Sequence, residues 1–127
     1  MEKSCGTIIV NEGKVLIIEQ SSGFYGFPKG HVEGNETEIE TAIRETKEEV
    51  NIDVVVVDES KRFTISYIVK ETIPKTCVFF LARPINLEIK PQEGEVNKIL
   101  WVDIDKVYDI LTHENAKEMW LEVKKCI

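Results

Sequence analysis

Apolar and β-branched residues cluster in two short runs near the start of the chain. Residues 4–10 and 14–20 are rich in them, and Asn11-Glu12-Gly13 between the runs has the composition of a tight turn. The pattern predicts two strands joined by that turn. Residues 21–32 contain three glycines and a proline, so we expect a loop there.

Residues 35–50 carry the clearest helical pattern in the chain. Asn35 is predicted to cap the helix, with Glu38 three residues later as its capping-box partner. Asn51 is predicted to end the helix, because asparagine tolerates the left-handed conformation. The positions that should face a core recur at helical spacing along one stripe: Ile39, Ala42, Ile43, Thr46 and Val50.

The rest of the chain continues with strand and helix patterns. Further strands are expected at 54–57, 61–69, 75–83 and 98–102. A turn is expected near Pro74, and helices at 103–111 and 113–125. Thr112 is a candidate cap for the last helix, whose apolar face comprises Ala116, Met119, Trp120 and Val123. Strands around one internal helix, with helices at the end, predict a mixed α/β or α+β fold in a single domain.

The composition limits the classes of function. With 43% hydrophobic residues the chain can fill a core, yet no apolar run approaches the roughly 18 residues that span a membrane. The start of the chain lacks a signal-peptide pattern, so we expect a cytoplasmic protein with no membrane partner. Three distant cysteines, Cys5, Cys77 and Cys126, lack zinc-ligand spacing and are interpreted as buried, reduced thiols.

The formal net charge of -7 affects the choice of partners. Acidic chains repel phosphate backbones, so we expect no stable nucleic-acid partner. An acidic protein that handles phosphates needs a cation between its own carboxylates and the ligand. If the protein acts on phosphates, its negative charge therefore predicts that the chemistry depends on a metal ion.

The predicted internal helix contains an acidic cluster. Glu45, Glu48 and Glu49 are spaced i, i+3 and i+4 and share one arc of its surface. Like charges at this spacing destabilise a helix by roughly 0.2–0.5 kcal/mol per pair unless a cation lies between them. Mg²⁺, which prefers carboxylate oxygens, is the candidate cation. The alternative is a solvated acidic face in which Arg44 and Glu48 form an ordinary i, i+4 pair.

A basic loop precedes the acidic helix. Lys29 and His31 stand among glutamates, and Gly30 between them allows a close backbone approach and offers its carbonyl as a ligand. In such an arrangement the basic side chains meet phosphate oxygens, while the carboxylates hold the metal that bridges them. The two segments together indicate a polyphosphate–metal site.

Residues 30–52 resemble the Nudix box. That motif reads Gly, five residues, Glu, seven residues, Arg-Glu, an aliphatic residue, any residue, Glu-Glu, any residue, Gly and an aliphatic residue. The sequence departs from it with Thr46 for the first aliphatic residue and Asn51 for the second glycine. The resemblance implies one Nudix hydrolase domain over residues 1–127, with a mixed β-sheet sandwiched between helices (α/β/α). The matching positions are Gly30, Glu36, Arg44, Glu45, Glu48, Glu49 and Ile52.

The resemblance also implies roles for the box residues. Arg44 would orient Glu45 as part of the catalytic machinery, and Glu36 would fix the loop–helix–loop. Mg²⁺, with Mn²⁺ as the alternative, would be bound by the carboxylates and one carbonyl of Gly30, Glu45, Glu48 and Glu49.

The sequence offers two catalytic candidates for the general base, Glu48 and Glu95. Members of the family use a glutamate inside the box, here Glu48, or one outside it. Glu93 and Glu95 lie in the loop before the strand expected at 98–102, and Glu95 is the favoured of the two. The alternative for both is a solvated loop charge.

Segments outside the box resemble the animal-type asymmetric diadenosine tetraphosphate hydrolases. The similar segments are residues 26–33, 5–10, Lys61-Arg62, Tyr67 and 74–76. The sequence departs from that subgroup at Tyr25, where relatives often have tryptophan, and in residues 63–74, which are about two residues longer than in the animal form. The implied reaction converts diadenosine tetraphosphate into AMP and ATP.

The same resemblance implies a set of substrate-binding residues. Tyr67 would stack on adenine; the alternative is that Tyr67 packs on the sheet. The full set is Lys29, His31, Tyr67 and Lys75.

Other activities share the same box. An RNA 5′-pyrophosphohydrolase or another nucleoside diphosphate-X pyrophosphohydrolase would use the same carboxylates. RNA favours a basic strip, for which the candidates are Lys61, Arg62, Lys70 and Lys75. A non-catalytic nucleotide-sensing domain, and a partner surface at Met119 and Trp120, are the remaining alternatives. We expect a nucleotide polyphosphate as the ligand, and a monomer or small homo-oligomer.

Overall fold

The computed structural model describes residues 2–127 and is built on an eight-stranded mixed sheet. Its strands are β1 (Glu2–Asn11), β2 (Lys14–Gln20), β3 (Tyr25–Gly26), β4 (Lys29–His31), β5 (Val54–Val56), β6 (Phe63–Val69), β7 (Ile73–Pro84) and β8 (Val96–Asp103). The strand order is β3-β2-β1-β7-β5, with β4 beside β1, β6 beside β7 and β8 beside β2. The predicted β1–β2 hairpin is confirmed, and Glu12 and Gly13 at its tip have φ angles of 50° and 78°.

Helices cover both faces of this sheet. Within residues 2–127 the helices are α1 (Glu38–Val50), α2 (Val107–Ile110) and α3 (Glu114–Lys124), and a 3-10 turn (Ile104–Lys106) precedes α2. Ala42 of α1 packs with Val78 and Phe80 on one face. Trp120 of α3 packs with Phe79 on the other face. The predicted α/β/α arrangement is therefore confirmed, and none of these helices is long and apolar enough to cross a membrane.

The apolar face predicted for the last helix belongs to the core. Met119 is 6% exposed and Trp120 is completely buried, in a cluster with Ala116 and Val123. These side chains cover the helix's own sheet, so they do not form a partner surface.

The start of α1 differs from the prediction. The cap is Thr37, whose hydroxyl accepts a hydrogen bond from the Glu40 N–H at 3.1 Å, while the Glu40 carboxylate accepts one from the Thr37 N–H at 2.8 Å. The prediction of Asn35 and Glu38 was wrong, because Thr37 and Glu40 offer the same capping-box spacing two residues later. The predicted end is confirmed: Asn51 is left-handed, with φ 64°.

The segment 21–32 is not entirely a loop, since it contains the short strands β3 and β4. The sheet requires a glycine at the place where β4 approaches β1. A Cβ atom on Gly6 would lie 2.0 Å from the Pro28 carbonyl oxygen. Pairing between segments so short has no alternating signature in the sequence.

Three further local predictions were wrong. The turn between β6 and β7 lies at residues 70–72 rather than at Pro74, which stands inside β7. Proline is tolerated there because the described pairing of β7 with β1 begins only at Lys75. The Thr112 hydroxyl accepts a hydrogen bond from the Tyr25 N–H at 2.8 Å instead of capping α3. Cys126 is exposed, whereas Cys5 and Cys77 are buried as expected.

Two buried threonines join β1 to α1. Thr46 donates its hydroxyl hydrogen to the Ala42 carbonyl at 2.7 Å, and its oxygen lies 2.6 Å from the Thr7 hydroxyl. Since Thr46 has one hydroxyl hydrogen, Thr7 is the donor to Thr46. The departure of Thr46 from the aliphatic residue of the Nudix box is therefore matched by a hydroxyl on the facing strand.

Replacing Thr46 alone should destabilise the fold. Thr46→Val leaves the buried Thr7 hydroxyl without its acceptor, so we expect a loss of about 1–3 kcal/mol in the free energy of unfolding. The double variant Thr7→Val/Thr46→Val removes both polar groups and should recover most of that loss. Denaturant unfolding of the two single variants and the double variant measures the coupling. Strictly additive losses would contradict the interaction.

Candidate active site

A polar cavity of about 340 Å³ lies where β4 meets α1. It brings together residues that are far apart in the chain and that the sequence analysis selected for phosphate, metal and general-base roles: Lys29, Gly30, His31, Glu45, Glu48, Glu49, Lys75 and Glu95. Three residues that the sequence analysis did not select also line it: Ser4, Glu33 and Gln92. No local pattern distinguishes these three, because only the sheet register and the loop path bring them to the cavity.

Arg44 lies behind the cavity and contacts several of its groups. Its guanidinium donates to both carboxylate oxygens of Glu36, at 2.6 and 2.9 Å. It also donates to Glu45 at 2.7 Å, to Glu48 at 3.2 Å and to the His31 carbonyl at 3.0 Å. The hydrogen bonds to Glu36 and then those to Glu45 and Glu48 raise the pKa of Arg44 above its usual value, so it stays charged.

Glu36 connects the loop before α1 to the helix. Besides Arg44, its carboxylate accepts hydrogen bonds from the Glu33 N–H at 3.0 Å and the Thr41 hydroxyl at 2.9 Å. The Arg44 hydrogen bonds are the main reason that the pKa of Glu36 falls to about 2. Glu36 is not among the residues that line the cavity, so its contacts serve the position of the loop.

Glu49 is the most buried carboxylate of the site, with 9% of its surface exposed. One of its oxygens accepts a hydrogen bond from the Lys29 N–H at 2.9 Å. Burial raises the pKa of Glu49 to about 7; the Lys29 N–H opposes this rise, and the charges of Glu45 and Glu95 add to it. Near neutral pH, a cation beside Glu49 would favour its ionised form.

The backbone of Gly30 lies close to the Glu45 carboxylate. A Cβ atom on Gly30 would lie 2.0 Å from the carboxyl group of Glu45. The Glu45 side chain would have to move away to make room for it. The glycine at this position therefore lets the Glu45 carboxylate keep its place beside β4.

The chemistry of these side chains fits Mg²⁺, a hard cation that binds oxygen ligands. Within residues 2–127, however, no three acidic, histidine or cysteine side chains are already arranged as a ligand set. Glu45 and Glu48 accept from Arg44, and Glu49 accepts from the Lys29 backbone. The shared guanidinium of Arg44 offsets the repulsion between Glu45 and Glu48, whereas Glu49 has a backbone donor.

The loop after β7 brings Glu95, but not Glu93, to the cavity. The loop is held at the end of α1 by two backbone hydrogen bonds. The Lys90 N–H donates to the Val50 carbonyl and the Gln92 N–H donates to the Glu49 carbonyl, both at 2.9 Å. These hydrogen bonds satisfy carbonyls that a helix end leaves unpaired. The choice between the two glutamates thus follows from the way the loop docks.

A second, mainly apolar cavity of about 560 Å³ lies next to the polar one and shares Lys29 with it. Tyr67 lines this cavity; its hydroxyl lies 3.7 Å from the Cys77 sulfur, and Lys75 Nζ lies 5.9 Å from its ring centre. Phe24 and His113 form an edge-to-face pair among the lining residues, with ring centres 4.9 Å apart. Tyr67 therefore lines the apolar cavity and not the polar one.

Comparison with known proteins identifies the family. The model of the Nudix domain matches residues 2–123. The chain belongs to the Nudix family. It is 30% identical to the asymmetrical bis(5′-nucleosyl)-tetraphosphatase of Rattus norvegicus over 132 residues, which cover 91% of this chain and 88% of that protein.

Two further relatives show how far the similarity extends within this Nudix hydrolase family. The crystal structure of a C. elegans Ap4A hydrolase binary complex is 26% identical, with a TM-score of 0.87, and the match covers 99% of this chain and 97% of that one. The m7GpppN-mRNA hydrolase of Saccharomyces cerevisiae is 30% identical over 118 residues, which cover 88% of this chain but only 12% of that protein. The similarity thus spans nearly the full length of both proteins for the rat tetraphosphatase and the C. elegans Ap4A hydrolase, but only a small part of the yeast mRNA hydrolase.

The raised pKa of Glu49 predicts a pH dependence of stability in metal-free protein. The folded chain holds this proton more tightly than the unfolded chain, so stability should fall as the pH rises from about 4.5 to about 7. The fall attributable to Glu49 should reach about 3 kcal/mol and should disappear in Glu49→Gln. Denaturant unfolding in a chelator at about pH 5 and about pH 7.5 tests this.

Exposed Glu118→Gln on α3 serves as the control and should keep the wild-type slope. Glu36, whose pKa is lowered, contributes stability that is lost only below this window, as the pH falls towards about 2. Equal pH slopes for wild type and Glu49→Gln would contradict the assignment to Glu49.

Proposed function

We propose that this Nudix hydrolase cleaves a phosphoanhydride bond in a nucleoside polyphosphate with the help of Mg²⁺, and that diadenosine tetraphosphate is cut asymmetrically into AMP and ATP. The observation that carries the proposal is the pair of adjacent cavities. One has carboxylates and basic side chains on its walls, the other is mainly apolar, and Lys29 belongs to both. The name of the rat relative supports the choice of substrate.

The polyphosphate chain would lie in the polar cavity. Lys29, His31 and Lys75 line it and are absent from the ion pairs formed within residues 2–127. Their positive or proton-donating groups are therefore available to phosphate oxygens, which accept charge-assisted hydrogen bonds. Without these basic groups, the acidic residues that line the same cavity would repel the phosphate chain.

Mg²⁺, with Mn²⁺ as the alternative, would be held by carboxylates of Glu45, Glu48 and Glu49 and by the Gly30 carbonyl. A bound divalent metal neutralises developing charge on phosphate and lowers the pKa of a coordinated water. Arg44 keeps Glu45 next to the backbone of Gly30, because it donates to Glu45 and to the neighbouring His31 carbonyl. Arg44 therefore serves as the positioning residue of this group.

The general base would be Glu48 or Glu95, both of which line the polar cavity. The Glu48 side chain is 47% exposed, and its one hydrogen bond within residues 2–127 has a length of 3.2 Å, which leaves its other carboxylate oxygen available to take a proton from water. Glu95 is exposed on the loop that docks against the end of α1. A well-placed base of this kind accelerates a reaction by roughly 10²–10⁴-fold.

The nucleoside would occupy the apolar cavity. Tyr67 is half-buried there, with Phe24 and His113 also on its walls. Stacking of an aromatic ring on a base contributes about 1–3 kcal/mol by alanine substitution. The volume of about 560 Å³ falls within the usual range of small-molecule sites.

An RNA 5′-pyrophosphohydrolase or another nucleoside diphosphate-X pyrophosphohydrolase is the alternative activity. Of the four basic residues considered for RNA, only Lys75 lines the cavity. Arg62 pairs with Glu38 at 2.7 Å, and Lys61 contacts the Cys126 sulfur at 3.8 Å. This arrangement offers no continuous basic strip leading to the polar cavity, which favours the dinucleotide.

Product analysis tests the proposed reaction. Purified protein with diadenosine tetraphosphate and Mg²⁺ should yield AMP and ATP in equal amounts, and a chelator should stop the reaction. Glu48→Gln should lower turnover by about 10²–10⁴-fold while the fold stays intact, because the amide oxygen can still accept from Arg44. Glu118→Gln should have wild-type turnover.

Formation of ADP alone would contradict the asymmetric cut. Near-normal turnover by Glu48→Gln would exclude that residue as the base. If no dinucleotide is cleaved, triphosphorylated RNA is the next substrate to assay, and a lack of turnover on both would favour a nucleotide-sensing role.

A pair of neighbouring variants tests the role of the loop. Glu95→Gln should lower kcat by about 10²-fold or more if Glu95 is the base, and by much less if Glu48 is. Glu93→Gln removes the same charge from the same loop outside the cavity and should leave kcat unchanged. Equal effects of the two variants would show that only the overall charge of the loop matters.

A further inference from the structure

The hydroxyl group of Ser4 is buried without a hydrogen-bond partner at the wall of the polar cavity. Ser4 is 1% exposed, and its Oγ has no partner among the described protein atoms. Ser4 nevertheless lines the polar cavity. Because a buried polar group without a partner destabilises the folded chain, its place beside a cavity points to a ligand that supplies the partner.

The register of the sheet places Ser4 at the junction of the two cavities. Ile65, Cys77, Ser4 and His31 are successive partners across β6, β7, β1 and β4. Partners in such a row project from the same face of the sheet. Ile65 and Cys77 line the apolar cavity, whereas Ser4 and His31 line the polar one. Cys77 and Ser4 are neighbours in this row, so Ser4 lies where the lining of one cavity passes into that of the other.

The side chains next to this junction are basic. Lys29 is the partner of Gly6, two residues beyond Ser4, and Lys75 is the partner of Glu2, two residues before it. Both lysines therefore project from the same face as Ser4, and both line the polar cavity. A hydroxyl donor flanked by two ammonium groups matches an anionic oxygen acceptor, and phosphate is the acceptor that a nucleotide supplies.

We propose that Ser4 binds the phosphate nearest the nucleoside, donating its hydroxyl hydrogen to a phosphate oxygen. This inference rests on the proposed function, because it takes the nucleoside to occupy the apolar cavity. Contact requires the side chains that cover Oγ to shift, and the neighbouring lysines are long and flexible. Ser4 thereby fixes where the phosphate chain enters the polar cavity, which sets the distance from the nucleoside to the acidic cluster.

Nucleotide binding without metal isolates this contact. Calorimetric titration in a chelator compares ATP with adenosine for wild type, Ser4→Ala and Ser66→Ala. Ser4→Ala should weaken ATP about tenfold and leave adenosine unchanged, since only ATP carries the acceptor. Ser66→Ala should change neither affinity, because Ser66 is exposed and adjoins Ile65 and Tyr67 in β6, so it projects from the opposite face.

Thermal unfolding of the ligand-free variants distinguishes binding from a structural role. Ser4→Ala should keep or raise Tm, because it removes an unpaired buried hydroxyl. A lower Tm with unchanged ATP affinity would overturn the inference, and so would an equal loss for ATP and adenosine. If the wild type cleaves diadenosine tetraphosphate and the Ser4→Ala variant has the same KM and the same ATP affinity as the wild type, this inference alone is overturned. Wild type that binds neither adenosine nor ATP, with the chelator or with Mg²⁺ in its place, would overturn the proposed function as well.

Discussion

The guanidinium group of Arg44 contacts three segments of the site at once. It bonds to Glu36 in the loop before α1, to Glu45 and Glu48 on α1, and to the carbonyl of His31 in β4. Carboxylates so close together would repel one another without this cation. Arg44 therefore stabilises the close approach of β4 to α1, to which the hydrogen bond from the Lys29 N–H to Glu49 also contributes. The i, i+4 pair with Glu48 is the longest of these contacts, so the sequence-based alternative of an ordinary surface pair does not describe the residue.

The charges around the polar cavity explain why an acidic protein can handle an acidic substrate. Burial raises the pKa of Glu49 to about 7, and the charges of Glu45 and Glu95 add to the rise, so an uncompensated negative charge is unfavourable there. Lys29 and Lys75, which line the same cavity, make no ion pair within residues 2–127. A divalent cation complements the carboxylates, and a polyphosphate complements the lysines.

Local hydrogen bonds explain how the fold accommodates the two departures from the Nudix box. Thr46 replaces an aliphatic residue, and its hydroxyl is used by Thr7 and by the Ala42 carbonyl. Asn51 replaces a glycine, takes the same left-handed conformation, and donates from its side chain to the Glu88 carbonyl at 2.8 Å. That hydrogen bond helps to dock the loop that carries Glu95. Each departure thus keeps the geometry and adds polar contacts: two for Thr46 and one for the Asn51 side chain.

Local periodicity in the sequence was sufficient for much of the fold. Elements that depend on contacts within a few residues, or on burial of one face, have a periodic pattern that can be recognised in the sequence. These elements are the β1–β2 hairpin, the body and end of α1 and the apolar face of α3. The carboxylates at 45, 48 and 49 share an arc for the same reason. The capping box was misplaced by two residues because two equivalent spacings compete within one turn.

Tertiary structure alone decided the features that depend on register and on loop docking. Strands β3 and β4 are too short to carry an alternating pattern, and the positions of Ser4 and Gln92 in the polar cavity have no local signature. The choice of Glu95 over Glu93 follows from backbone hydrogen bonds to the end of α1. The sequence was sufficient to predict which residue types face a core or crowd together on one helix, since those follow from the period of a single element. It did not determine which elements meet, because the pairing of distant strands is selected by the free energy of the whole packed chain.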